Sequence, residues 1–254
     1  MAHDQVAIMD IPIDSLSKNR LVKNVYTELE RKQKNCVIVT ANPEIIMQTQ
    51  KTPAYKEAVL NSDYVIPDGY GIILASQILQ QPLPEKIVGY ELLHTFLEYA
   101  SLNSKTVYFF GAQEGVAVDA AINAITLYPG LQIAGTRNGF SGTNREVAEE
   151  IALTNPDFLF IGLGVPLQEQ WAIHHRDLFP HSVLMGVGGS FDVLSGRIKR
   201  APSFFLDRNL EWLYRLLSQP ARIFRMVQLP LFVVKVYKQK WLHSKMADKL
   251  KDLP

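Results

Sequence analysis

One cysteine, Cys36, stands in 254 residues, so the chain forms no internal disulfide and holds no cysteine-based zinc cluster. No stretch approaches the ~18 consecutive apolar residues of a membrane span. The first residues, Met1 to Gln5, lack the basic-then-apolar layout of a secretory signal, and the expected compartment is the cytoplasm. Several enzyme signatures are missing as well. There is no Gly-x-Gly-x-x-Gly fingerprint, which disfavours a nicotinamide-dependent oxidoreductase, and no Walker A loop, Gly-x-Ser-x-Gly elbow or His-Glu-x-x-His. No Asp-x-Asp occurs, so the usual carboxylate pair for a metal–diphosphate complex is absent, and neither a metal nor a cofactor is expected. Internal repeats and low-complexity linkers are lacking too.

The balanced charge of +1 conceals an asymmetry. Residues 1–196 carry a net −8 and residues 197–254 a net +9. An acidic body with a basic tail suits an anionic partner: a membrane surface, a nucleic acid or a polyphosphate. The break falls near Arg197 to Pro202, which divides the chain into a body (1–202) and a basic C-terminal appendage (203–254).

Within the body, three apolar runs stop abruptly at glycine: Val107 to Gly111, Phe158 through Gly162 to Gly164, and Val183 through Gly186 to Gly188 and Gly189. Runs without alternation read as parallel strands covered by helices on both faces. Glycine at their ends makes a tight strand-to-helix turn, and it also lets backbone N–H groups approach a ligand, favouring an anion such as a phosphate. Val37 to Val39 and Tyr64 to Ile66 read as two more strands, running into Thr40–Pro43 and Pro67–Gly69. Helical stretches are expected from Glu44, over 72–79, and near 89–102, 114–127, 143–154 and 167–178. Alternating strands and helices predict an α/β fold with a largely parallel sheet. In the tail, Asn209 to Ser218 has an amphipathic pattern, and Pro220 and Pro230 are expected to limit helix length beyond it. Leu231 to Trp241 mixes aromatic and aliphatic residues with lysines, which suits a membrane interface or a basic helix packed on the body.

Asp68, between Pro67 and Gly69, reads either as a structural turn residue or as a general base. Thr40 and Asn42 on the next loop could bind a sugar or cap the following helix. Gln168 is placed to reach the same crevice or to sit on a helix surface. Asp192 offers an acceptor for sugar hydroxyls or a first-turn helix carboxylate. With no metal pair, a leaving diphosphate would need backbone amides and cations, and Arg215, Arg222 and Arg225 are the available clamp if the tail folds over the crevice.

Thr40-Ala41-Asn42-Pro43-Glu44, Pro67-Asp68-Gly69-Tyr70-Gly71, Gly162 to Glu169, Gly186 to Asp192, Gly196 to Pro202 and Leu210 to Leu216 occur in order along the chain. Together they resemble the WecG/TagA/CpsF family of bacterial glycosyltransferases, from about Ile8 to Val236. The resemblance implies a Rossmann-like α/β body with flanking helices and a basic C-terminal helical appendage. It also implies a metal-independent, inverting transfer, and the nearest branch moves N-acetylmannosamine from its UDP donor to undecaprenyl-diphosphate-linked N-acetylglucosamine, a step of wall teichoic acid synthesis. Family roles carried over residue by residue make Asp68 the base, put Thr40 and Asn42 beside the sugar, and put Gln168 in the pocket. Gly111, Gly164, Pro166, Gly188, Gly189 and Asp192 complete the substrate-binding set, with Arg215, Arg222 and Arg225 gripping the diphosphate or the lipid-linked acceptor. The implied partners are a UDP-sugar, a polyprenyl-diphosphate-linked sugar and the anionic inner face of the cell membrane. A nucleic acid is not among them, and self-association stays open. Lys86 and Glu91 stand where the family pattern has Arg and Asp. Lys cannot make the bidentate phosphate contact of Arg, so donor preference is expected to respond. Transfer of N-acetylmannosaminuronic acid or of a capsule or exopolysaccharide sugar, and a non-catalytic membrane adaptor, are the alternatives.

Overall fold

Apolar runs rich in Val, Ile and Phe build the centre of the molecule. The structure, a computed structural model, describes residues 4–140, 142–218 and 228–251. A small antiparallel hairpin, β1 (Gln5–Ile8) and β2 (Ile11–Asp14), turns through Met9 and Asp10, both with positive φ. A second sheet holds β3 (Cys36–Ala41), β4 (Tyr64–Pro67), β5 (Thr106–Gly111), β6 (Gln132–Arg137), β7 (Phe158–Gly162) and β8 (Val183–Gly186). Its order is β4-β3-β8-β7-β5-β6, and every pairing is parallel. The expected largely parallel, Rossmann-like architecture is therefore present, with all six strands running one way.

Alternation along each strand sends side chains to two helical layers. Ile38, Ile66, Phe109, Phe160 and Met185 point to one face. That face is covered by α1 (Lys18–Arg31), α5 (Gly89–Leu102), α6 (Val116–Leu127) and α9 (Ser190–Leu194). Val39, Val65, Phe110, Ile161 and Leu184 point to the other. There lie α2 (Pro43–Thr49), α3 (Pro53–Leu60), α4 (Tyr70–Ile78), α7 (Arg145–Ala152) and α8 (Leu167–His175). Short α10 (Ser203–Asp207) and α11 (Glu211–Ser218) follow and contact each other.

Two carboxylates hold strand amides. Asp14, 1% exposed, accepts from the Val65 amide at 2.7 Å and so joins the hairpin to edge strand β4. Asp63 accepts from the Val37 amide at 2.9 Å and from Arg176 at 2.9 Å. Gly135 on edge strand β6 has no room for a side chain, since a Cβ there would stand 2.5 Å from the Tyr108 ring.

The end of the chain departs from expectation. Pro230 does not shorten the helix around it; it is the third residue of a 24-residue helix, Gln228–Lys251. A proline in the first turn forfeits no intrahelical bond, because those N–H groups have no partner in the preceding turn. Pro220 lies outside the described residues. One face of this last helix joins the body: Phe232 and Val236 are buried in the same cluster as Val6, Ile8, Ile46 and Ile72. Gln239 donates to the Ala7 carbonyl and accepts from the Met9 amide, each at 2.9 Å. Among the described residues, no helix is long and apolar enough to cross a membrane.

Candidate active site

Strand register fixes the level of each candidate. Ala41 pairs with Pro67, Ile38 with Met185, Ile161 with Gly186 and Gly111 with Gly162. The strands therefore end on one edge: Thr40, expected on the loop, is still within β3, Gly111 closes β5, and the loops carrying Asn42, Asp68, Gly164, Gly188 and Gly189 emerge beside them. From β4 to β5 this row covers four strand spacings, about 19 Å. The chain leaves β3 toward the face of α2 and leaves β8 toward the face of α9. A crevice opens between such diverging connections, and open α/β sheets bind ligands in it.

Four helix starts along the row share a property. The first residues of α4, α6, α8 and α9 follow Gly69, Gly115, Pro166 and Gly189, and none of these helices has a side-chain cap. The start of α2 on the same row is the exception, capped by Asn42, and away from the row Ser17 and Asn144 cap α1 and α7. Uncapped helix N-termini leave backbone N–H groups and positive dipole ends for an anion. α5, also without a side-chain cap, starts against this edge: a Cβ on Gly89 would lie 3.1 Å from Thr40 Cγ2.

Each candidate has a place. Asp68 is half-buried directly after β4, and its amide donates to the Ala41 carbonyl at 2.8 Å, tying its loop to the end of β3. Gly69 has φ 84°, where a side chain would be strained. Thr40 is buried and shares the face of α5. Asn42 caps α2, its Oδ1 accepting from the Ile45 amide at 3.0 Å, which leaves the Nδ2 donor for other use. Gly111 serves strand contact: a Cβ there would meet the Gly162 carbonyl carbon at 2.5 Å. Gly164 has φ 77° with open space around it, followed by a cis Val165–Pro166 peptide. Asp192 lies in the first turn of α9, half-buried. Arg215 is on α11, whereas Arg222 and Arg225 lie outside the described residues.

Lys86 and Glu91 both hold the segment beyond the sheet. Lys86 Nζ donates to Asn209 Oδ1 at 2.8 Å, and Glu91 accepts from Arg200 at 2.7 Å. Gln168 is only 2% exposed; its side chain lies beneath the β8 loop, with Oε1 accepting from the Gly188 amide at 3.0 Å.

Sequence reasoning gave no role to Glu169, which is also 2% exposed. Its Oε1 accepts from Gln168 Nε2 at 2.7 Å, and Oε2 makes no close hydrogen bond among the described residues. The Tyr55 hydroxyl on α3 stands beside this carboxyl. Burial, with a smaller push from Glu44, raises the Glu169 pKa to about 7. The folded chain thus keeps a proton that the unfolded chain loses above about 4.5. Stability should fall as pH rises through that window and level off above 7, by on the order of 3 kcal/mol. Glu169→Gln removes the slope. Urea midpoints of parent and variant should diverge in the variant's favour between about pH 5 and about pH 7.5; parallel midpoints would contradict a buried protonated Glu169.

The sequence model of the glycosyl transferase WecG/TagA/CpsF family matches residues 6–246. The chain belongs to that family. Among its relatives, a Bacillus spizizenii protein is 41% identical over 224 residues, 88% of this chain and 87% of the relative. A Staphylococcus aureus protein is 36% identical over 237 residues, 93% of each chain, and one from Bacillus subtilis is 38% identical over 204 residues, 80% of each. All three are named N-acetylglucosaminyldiphosphoundecaprenol N-acetyl-beta-D-mannosaminyltransferase. The family match takes in the crevice, α11 and most of the last helix, so the segment beyond the sheet is part of the shared architecture.

Proposed function

We propose that the protein moves N-acetylmannosamine from UDP-N-acetylmannosamine to undecaprenyl-diphosphate-linked N-acetylglucosamine, making the linkage unit of wall teichoic acid. The observation that carries this reading is the row of uncapped helix N-termini along one sheet edge, with Asp68 among them. Such an edge suits a sugar diphosphate, and the relatives' names supply the sugar and the acceptor class.

In the proposed reaction Asp68 takes the proton from the attacking acceptor hydroxyl. The oxygen attacks the anomeric carbon opposite the diphosphate, the carbon–oxygen bond to UDP breaks, and one displacement inverts the centre. UDP carries away the bonding pair. Backbone N–H groups at the starts of α8 and α9 oppose that growing negative charge, with Arg215, Arg222 and Arg225 as further cations. Thr40 and the Asn42 amide flank the sugar, and Asp192 accepts from its hydroxyls or from the ribose.

The last helix supports a peripheral position on the inner face of the membrane. Opposite its docked face, Val234, Tyr237 and Trp241 are exposed alongside Lys238 and Lys245. The Lys245 ammonium sits 4.0 Å from the Trp241 ring centroid. Rings at headgroup depth and lysines facing anionic lipid, worth about 1 kcal/mol each, would bring the crevice to a lipid-borne acceptor.

The deciding experiment follows UDP release from UDP-N-acetylmannosamine, with a lipid-diphosphate-linked N-acetylglucosamine acceptor, in EDTA. Acceptor-dependent release is expected. Release only after restoring a divalent metal would refute metal independence. Release only from the corresponding uronic acid donor would reassign the sugar.

A further inference from the structure

We propose that Glu169 is a positioning residue for transfer: it fixes the rotation of the Gln168 side-chain amide, and Gln168 in turn pins Gly188 at the carboxyl end of β8. A glutamine amide has a donor end and an acceptor end of nearly the same shape, so its neighbours must choose between two orientations. Here both neighbours agree. Glu169 Oε1 accepts at 2.7 Å from Nε2, and the Gly188 N–H donates at 3.0 Å to Oε1 of the same amide. Flipping the amide would set oxygen against oxygen and N–H against N–H, replacing two buried bonds by two repulsions. Neither side chain reaches solvent, so this pair supports the loop from beneath rather than lining the crevice.

The sequence makes room for the arrangement. A Cβ on Gly186 would stand 2.6 Å from Gln168 Nε2 and 3.2 Å from Glu169 Oε1. Glycine at 186 thus admits both polar groups under β8, which the turn geometry alone does not demand. Gly188 itself has φ 50°, a conformation that favours glycine, and its N–H bond to Gln168 restrains it. Through this relay the first turn of α8 sets the backbone that opens α9.

The inference rests on the reading that the Gly188 loop borders the donor site, and the experiment separates the two. Steady-state transfer is measured for the full chain with Glu169→Met, Glu169→Gln and Gly188→Ala, with folded fractions checked by melting curves. Glu169→Met removes the acceptor and should raise donor KM roughly tenfold, the scale of one lost buried hydrogen bond, with kcat per folded enzyme little changed. Glu169→Gln keeps an acceptor for Nε2 and should keep donor KM close to the parent's. A raised KM for Gly188→Ala with an unchanged KM for Glu169→Met overturns the positioning role and leaves the donor site standing. Unchanged KM in both overturns the donor-site reading. An exchange keeps the proposal testable if Glu169→Met does not fold. Gln168→Glu alone sets two carboxyls side by side and should raise donor KM, while adding Glu169→Gln rebuilds both bonds and should restore it. Failure of that rescue also counts against the relay.

Discussion

Asp68→Asn should reduce kcat for transfer by about 10²–10⁴, the range of one lost general base. Donor KM should stay close to the parent's. Asparagine matches the carboxylate in size and keeps the backbone bond from residue 68 to the Ala41 carbonyl, so the turn into α4 survives. What it loses is a site for the acceptor's proton. A Pro–Asp–Gly turn is often purely structural, and the two roles separate cleanly here. A structural carboxylate would give a lower melting temperature with near-normal kcat in the folded fraction. A base gives the reverse: an unchanged melt and a collapsed kcat, read as UDP release in single-turnover experiments.

Phe232→Ala should destabilise the protein by about 3–5 kcal/mol, the usual cost of emptying a buried phenylalanine site. Phe232 is 1% exposed and Val236 fully buried, and their neighbours are Ile8, Ile46 and Ile72. The loss should be smaller if the last helix undocks as a unit and water fills its seat. Hydrogen exchange distinguishes the cases: undocking would expose the amides of β1 and β2 before those of β3, β7 and β8. Binding to anionic vesicles should persist in this variant, because Val234, Tyr237 and Trp241 lie on the opposite face. Loss of vesicle binding without loss of stability would place the lipid-contacting surface elsewhere.

Much of this architecture can be read from residue order. Five strands of the parallel sheet are apolar runs with turn residues at their ends, and the helices between them carry clear starts such as Asn42-Pro43. β6 is the exception. Gln132 to Arg137 is a half-buried edge with a glycine inside it, and neither alternation nor an apolar run marks it. The hairpin is also silent, because its turn uses Met9 and Asp10 at positive φ instead of an Asn-Gly pair, and Pro12 sits within β2. In the candidate site, glycine, proline and aspartate at strand ends mark the loops, although the same residues also serve purely structural turns. Glu169 carries no such mark. Its neighbours on α8 are mixed in polarity, and its burial depends on Tyr55 from α3 and on the missing side chain at Gly186. Burial of a carboxyl is decided by elements distant in sequence, so no local pattern announces it.

The docking of the last helix also sets the order of events during synthesis. Ile8 and Ile11 share a cluster with Phe232 and Val236. At about 5–20 residues per second, the ribosome needs roughly 11–45 s to pass from one group to the other. For that interval the first hairpin has an apolar seat with nothing in it, and the parallel sheet must assemble without its final support. Chaperone demand should therefore peak late in translation, and it should end when the last helix emerges and closes over residues made at the start.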